Sequence, residues 1–175
     1  GNLRSGKEPL VEIVIFCLMP NHYHLVLRQL VDGGISLFMK KLGDSYVGYF
    51  NQKHNRKRMG SLFQGRFKAV HIETDEQLIN LVCYVFANPV ELLEKGWKEK
   101  GIKNPQKVIK HLESYRWSSY LDCIGIQNFP SVTKRDFLMK VFGCPANVKK
   151  FTEGWILYKT ELRKGFERIK GLILE

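Results

Sequence analysis

Residues 11–28 read "VEIVIFCLMPNHYHLVLR", two apolar runs either side of Pro20-Asn21. Proline presets φ and asparagine tolerates a tight turn, so residues 11–18 and 22–28 are expected to pair as an antiparallel hairpin. Side chains alternate along a strand, which puts His22 and His24 on one face and Tyr23 on the other. Two imidazoles fixed side by side on a rigid strand make a bidentate metal platform. For a lone His-x-His pair, structural histidines satisfied by backbone or acid partners are the commoner case. The rest of the chain has to decide between these.

After Asp32-Gly33-Gly34 the period changes. Phe38, Met39, Leu42, Tyr46, Tyr49 and Phe50 recur at three- and four-residue steps, predicting an amphipathic helix capped by Ser36 and running to about residue 53. Residues 66–72 (RFKAVHI) read as a third strand. Thr74 with Gln77 is a capping-box signature ahead of "QLINLVCYVFAN", and Pro89 ends that helix or restarts the chain as a short one. Residues 94–116 read as a Lys-rich loop with a short helix, and Trp117 to Ile124 as helical. Ser131 or Thr133 is expected to cap "KRDFLMKVF", and residues 146–170 to form a last basic helix. Trp117 and Tyr120 are expected in the core. Strands first and helices after suggest an α+β sandwich with a helical C-terminal part.

The charge balance points to a partner. There are 28 Lys+Arg against 17 Asp+Glu, a net charge of +11, which favours a polyanion, nucleic acid ahead of an anionic membrane. The excess is clustered: residues 53–68 hold six basic residues and no acid, and residues 95–110 hold six lysines against one glutamate. Lys53, Arg56, Lys57, Arg58, Arg66 and Lys68 are candidates for phosphate contacts, and Gln64 for a base edge. Phe63 and Phe67 interleave them as stacking faces. No apolar run has the length to cross a bilayer, and no secretory signal is visible. Cys17, Cys83, Cys123 and Cys144 are scattered among apolar neighbours without zinc-ligand spacing, as suits reduced thiols in the cytoplasm.

In the capped helix, Tyr84 and Asn88 stand four apart and so share a face. An Asn on a core-facing helix side needs a partner for its amide, and a metal ion is one. Taken together, "MPNHYHLVL", "GSLFQGRFKAV", "YVFANPV" and "YRWSSY" resemble the single-tyrosine HUH transposases, most closely the REP-associated tyrosine transposases, or transposase IS200-like proteins. The likeness covers roughly residues 11–124. It implies a ferredoxin-like α+β fold and a transposase domain over 1–124, with 125–175 a helical extension packed on it. It makes His22 and His24 the metal-binding pair, Tyr84 the nucleophile and Asn88 the third ligand.

The resemblance further implies a divalent metal, Mg²⁺ or Mn²⁺, and single-stranded hairpin DNA as the partner. The chemistry implied is strand cleavage and rejoining through a 5′-phosphotyrosine, by a monomer acting in cis in the cytoplasm, associated with the nucleoid. No G-x-x-x-x-G-K-[ST] motif is present to bind a nucleotide cofactor. One departure stands out: the family carries a further strand and helix before the strand at 11–18, so the sheet here is expected to lack a strand. Two other readings compete. One is a zinc- or manganese-dependent phosphoesterase drawing a third ligand from His54, His71 or His111. The other is a domesticated or inactive DNA-binding protein of the same fold.

Overall fold

The structure is a computed structural model that describes residues 8–55 and 61–158. They fall into two compact units, one of residues 8–12, 27–55 and 61–69, the other of residues 13–26 and 70–158. The class is α+β, as the residue periods predict: a small antiparallel sheet with helices.

The hairpin forms where the apolar runs place it. β1 (Val11–Leu18) pairs with β2 (Tyr23–Gln29), and the amide of Met19 donates to the His22 carbonyl at 2.8 Å across Pro20-Asn21. β1 also bonds the later chain: Leu18 N donates to Trp117 O (2.8 Å), Ser119 N to Phe16 O (3.0 Å) and Lys134 N to Ile13 O (2.8 Å). This explains why Val14 to Cys17 are all buried, on both faces of the strand.

The same bonds turn Trp117 outward. Ser118, bridged to Cys17, is 1 % exposed, whereas Trp117 is 50 % exposed with the Arg116 guanidinium over its ring. Trp117 is therefore not core as expected, while Tyr120 is. The helix there is only one turn, α6 (Tyr120–Cys123).

In the first unit, α1 (Gly34–Lys53) begins two residues before the expected Ser36 cap. Gly33 adopts φ 65°, a conformation glycine takes without strain, and Gln29 Oε1 accepts from Ile35 N at 3.2 Å in place of a hydroxyl cap. A Cβ on Gly34 would strike the Leu10 carbonyl, which fixes the residue as glycine. The apolar stripe of α1 is only partly covered: Tyr46 and Tyr49 are exposed, and Gly34 is the buried residue of the helix.

The third strand is absent. Residues 66–72 pair with no strand and stay largely exposed, Phe67 and Val70 among them. A strand is stabilised by its ladder and one packed face, and this segment divides its apolar residues, Phe67 and Ala69 on one side, Val70 and Ile72 on the other. Only Ile72 packs on the core.

The second unit holds the hydrophobic core. α2 (Asp75–Ala87) starts as the capping box predicts: Thr74 Oγ1 accepts from Gln77 N at 3.2 Å, and the Gln77 side chain reaches back to Glu73 N at 2.8 Å. Asn88 and Pro89 then restart the chain as α3 (Val90–Leu93). The Lys-rich stretch is more ordered than a loop, with α4 (Trp97–Lys100) and α5 (Pro105–Ser114), the latter capped by Asn104 accepting from Lys107 N. Next come α7 (Asp136–Phe142) and α8 (Pro145–Leu157), and α8 packs along α2. Neither Ser131 nor Thr133 caps α7; Arg135 precedes it and pairs with Asp122 at 3.5 Å. The remainder of the expected final helix lies outside the described residues.

Phe86 (0 % exposed) stacks on Tyr120 at 5.3 Å, and burying each such side chain contributes about 1.5–3 kcal/mol. All four cysteines are free; Cys17, Cys83 and Cys123 are buried, which pushes their thiols up to about 12, while Cys144 is exposed, against the expectation of apolar surroundings. No described helix is long and apolar enough to cross a membrane.

A carboxylate organises the turn after α3. Glu94 accepts from Lys103 N (2.8 Å) and Asn104 N (3.1 Å), and the Lys103 N–H bond foremost holds its carboxyl below the usual value. A carboxyl lowered in the folded state stabilises it above the unfolded pKa and loses that contribution as pH falls through the lowered value. Glu94→Gln is therefore expected to melt below wild type at pH 7, with the gap closing below about pH 4. A gap that persists in acid would show the carboxylate's charge to be irrelevant.

Candidate active site

His22 and His24 flank Tyr23 at the hairpin tip, and their rings stand 5.0 Å apart, edge to face. His22 is exposed and half of its ring chemistry is already assigned. Its Nδ1 lies 2.7 Å from Asn21 Oδ1, which accepts, so Nδ1 is the donor in this pair. His24 is half-buried. Burial first, then the charges of His22 and Lys98, pushes it down to about 4, so its imidazole is neutral at ordinary pH.

From α2, the Tyr84 ring meets the His24 ring at 5.8 Å and 78°. Tyr84 is 3 % exposed; the Trp155 ring of α8 packs at 6.3 Å, and the Lys98 ammonium lies 4.4 Å from the Tyr84 centroid. One helical turn on, Asn88 is buried, its Nδ2 donating to Tyr84 O at 3.1 Å. That bond orients the amide with nitrogen on its own helix, leaving Oδ1 turned away from the Tyr84 carbonyl. The peptide carbonyl of Pro89 meets His111 Nε2 at 3.1 Å.

The residue types suit a divalent cation: two imidazoles, His22 and His24, and the buried amide of Asn88. Among the described residues no three His, Cys, Asp or Glu side chains gather in metal-holding geometry. His111 is held at Pro89, and His71 is 85 % exposed beside Glu73 and lies in no strand. Neither His71 nor His111 forms such a group with His22 and His24 among the described residues.

The candidate DNA contacts belong to the first unit. Lys53 closes α1 with its ammonium 5.5 Å from the Tyr49 ring, and Gln64, Arg66 and Lys68 lie in the exposed segment after it. Arg56, Lys57 and Arg58 lie outside the described residues. Phe63 packs on Tyr46 at 5.9 Å, Tyr46 on Phe50 at 6.2 Å, and Phe50 on His54 at 4.3 Å, forming a row of rings along α1. Sequence reasoning missed Lys98 and Trp155 as neighbours of Tyr84. The first had a signal only in the lysine cluster at 95–110, and the second had none.

The site thus sets one imidazole of the hairpin, His24 of β2, against a tyrosine of α2, with His22 beside it just before the strand. Residues 5–88 match the family described as transposase IS200 like, and His22, His24, Tyr84 and Asn88 all lie inside the match. No curated protein and no solved structure matches the chain.

Proposed function

We propose that the chain cleaves and rejoins single-stranded DNA at hairpin sites through a 5′-phosphotyrosine on Tyr84. The observation that supports this reading is the ring contact between His24 and Tyr84, 5.8 Å between centroids. The Tyr84 oxygen attacks phosphorus, the 3′-oxygen leaves, and reversal rejoins the strand without a nucleotide cofactor because the ester bond is conserved. A divalent ion, Mg²⁺ or Mn²⁺, held by His22, His24 and the Asn88 amide would neutralise charge on the scissile phosphate. The bond to Asn21 orients the His22 ring, and Trp155 and His24 pack the Tyr84 ring. Because that contact is made within one chain, a monomer acting in cis is the economical reading. Residues 125–175 serve, on this view, as a helical extension of the catalytic part, and the protein works in the cytoplasm at the nucleoid.

The test is incubation with a hairpin-bearing single strand and Mn²⁺, followed by denaturing electrophoresis. A DNA-linked band supports the proposal; binding without any adduct decides for the inactive DNA-binding protein. The first unit bears on affinity. The ring row of α1 and the acid-free run at 53–68 suit base stacking beside phosphate contacts. Replacing Arg56, Lys57 and Arg58 together is expected to lower the slope of log affinity against log salt by up to about 2. Unrelated strands should weaken as much as a cognate hairpin. Gln64→Ala should change preference among hairpins at nearly constant slope. An unchanged slope in the triple variant would show the run to be a solvated loop.

A further inference from the structure

The turns after α3 are built rather than loose. Glu91 Oε1 accepts from Gly96 N at 2.9 Å, and Glu94 secures Lys103 and Asn104. Gly96 at φ 71° lets the chain enter α4, whose first residue, Trp97, is 1 % exposed and stacks on Trp155 at 5.8 Å. This anchor fixes the next residue. Lys98 is half-buried, with its ammonium over the Tyr84 ring, 4.4 Å from the centroid. That puts a positive charge beside the ring that carries the proposed nucleophilic oxygen, and an ammonium forms strong charge-assisted bonds with phosphate oxygens.

We propose that Lys98 is a catalytic residue that contacts the scissile phosphate, donating to a non-bridging oxygen as Tyr84 attacks. The proposal rests on the reading of Tyr84 as the nucleophile. In the step, the Tyr84 Oη–P bond forms and the P–O3′ bond breaks. The phenolic proton passes to solvent, the 3′-oxygen takes one from solvent, and the ester keeps its single negative charge. Charge shifts among the phosphorus oxygens on the way, and a fixed ammonium stabilises that arrangement without reorganising.

The experiment compares Lys98→Met, which keeps the stem and removes the charge, with Lys98→Arg, in wild-type and Tyr84→Phe backgrounds. With Mn²⁺ and saturating single-stranded hairpin DNA, Lys98→Met is expected to slow adduct formation by about 100-fold, with Lys98→Arg recovering most of the rate. In the Tyr84→Phe background, where no adduct forms, Lys98→Met should lower the salt slope of binding by about 0.7. A lower melting temperature with rate and slope unchanged would make Lys98 a structural support of the Tyr84 ring and overturn the proposal. If wild type forms no adduct, Tyr84 loses its role, yet the slope still decides whether Lys98 meets a phosphate; an unchanged slope overturns it.

Discussion

Tyr84→Phe is expected to abolish the DNA adduct, a fall on the order of 10⁴-fold or more, while single-stranded DNA is still bound. The substitution removes one oxygen and keeps a ring that packs on His24 and Trp155, so the fold is expected to lose no more than about one hydrogen bond, about 1 kcal/mol. Denaturing electrophoresis reads the adduct, and melting reads the fold. An adduct of undiminished yield from Tyr84→Phe would remove this tyrosine from the chemistry. Mixing Tyr84→Phe with His24→Ala chains extends the test. Because His24 and Tyr84 touch within one chain, the mixture is expected to stay inactive, and recovered activity would show that the tyrosine is supplied by a second copy.

The second large effect concerns the histidine pair. A ligand present at a hundredfold excess over its Kd stabilises a folded chain by about 2.7 kcal/mol. For a chain of this size that is about 5 to 10 °C in melting temperature. Wild type is expected to show such a rise with Mn²⁺, and His22→Ala and His24→Ala to lose it together with cleavage, by on the order of 10²-fold or more. The two variants should differ without metal. His22 is exposed, so its removal should leave the melting temperature nearly unchanged, whereas removing the half-buried His24 takes away a face packed on Tyr84. Should both variants keep the Mn²⁺-dependent rise, the pair does not bind the metal.

Much of the frame is legible in residue order. Pro20-Asn21 between two apolar runs specifies the hairpin, and the His-x-His spacing at its tip brings the rings of His22, just before β2, and His24, within it, to 5.0 Å. Thr74 and Gln77 mark the start of α2, and the 3.6-residue period stacks Tyr84 and Asn88. These features are local: each follows from backbone geometry within a few residues. The same reasoning failed at residues 66–72, where propensity suggested a strand but no ladder partner or single packed face exists among the described residues. It failed at Trp117, whose outward side is set by backbone bonds to Leu18, 99 positions earlier in the chain.

The site shows the same division. Sequence determined which residues share a strand face or a helix face, because that depends only on periodicity. Tertiary packing decided that the two faces meet, His24 against Tyr84, and that Trp155 and Lys98 join them. Nothing local links position 98 to position 84. Their contact exists because Trp97 is buried against Trp155, and burial of a large ring anywhere in a core fixes the direction of the residue beside it.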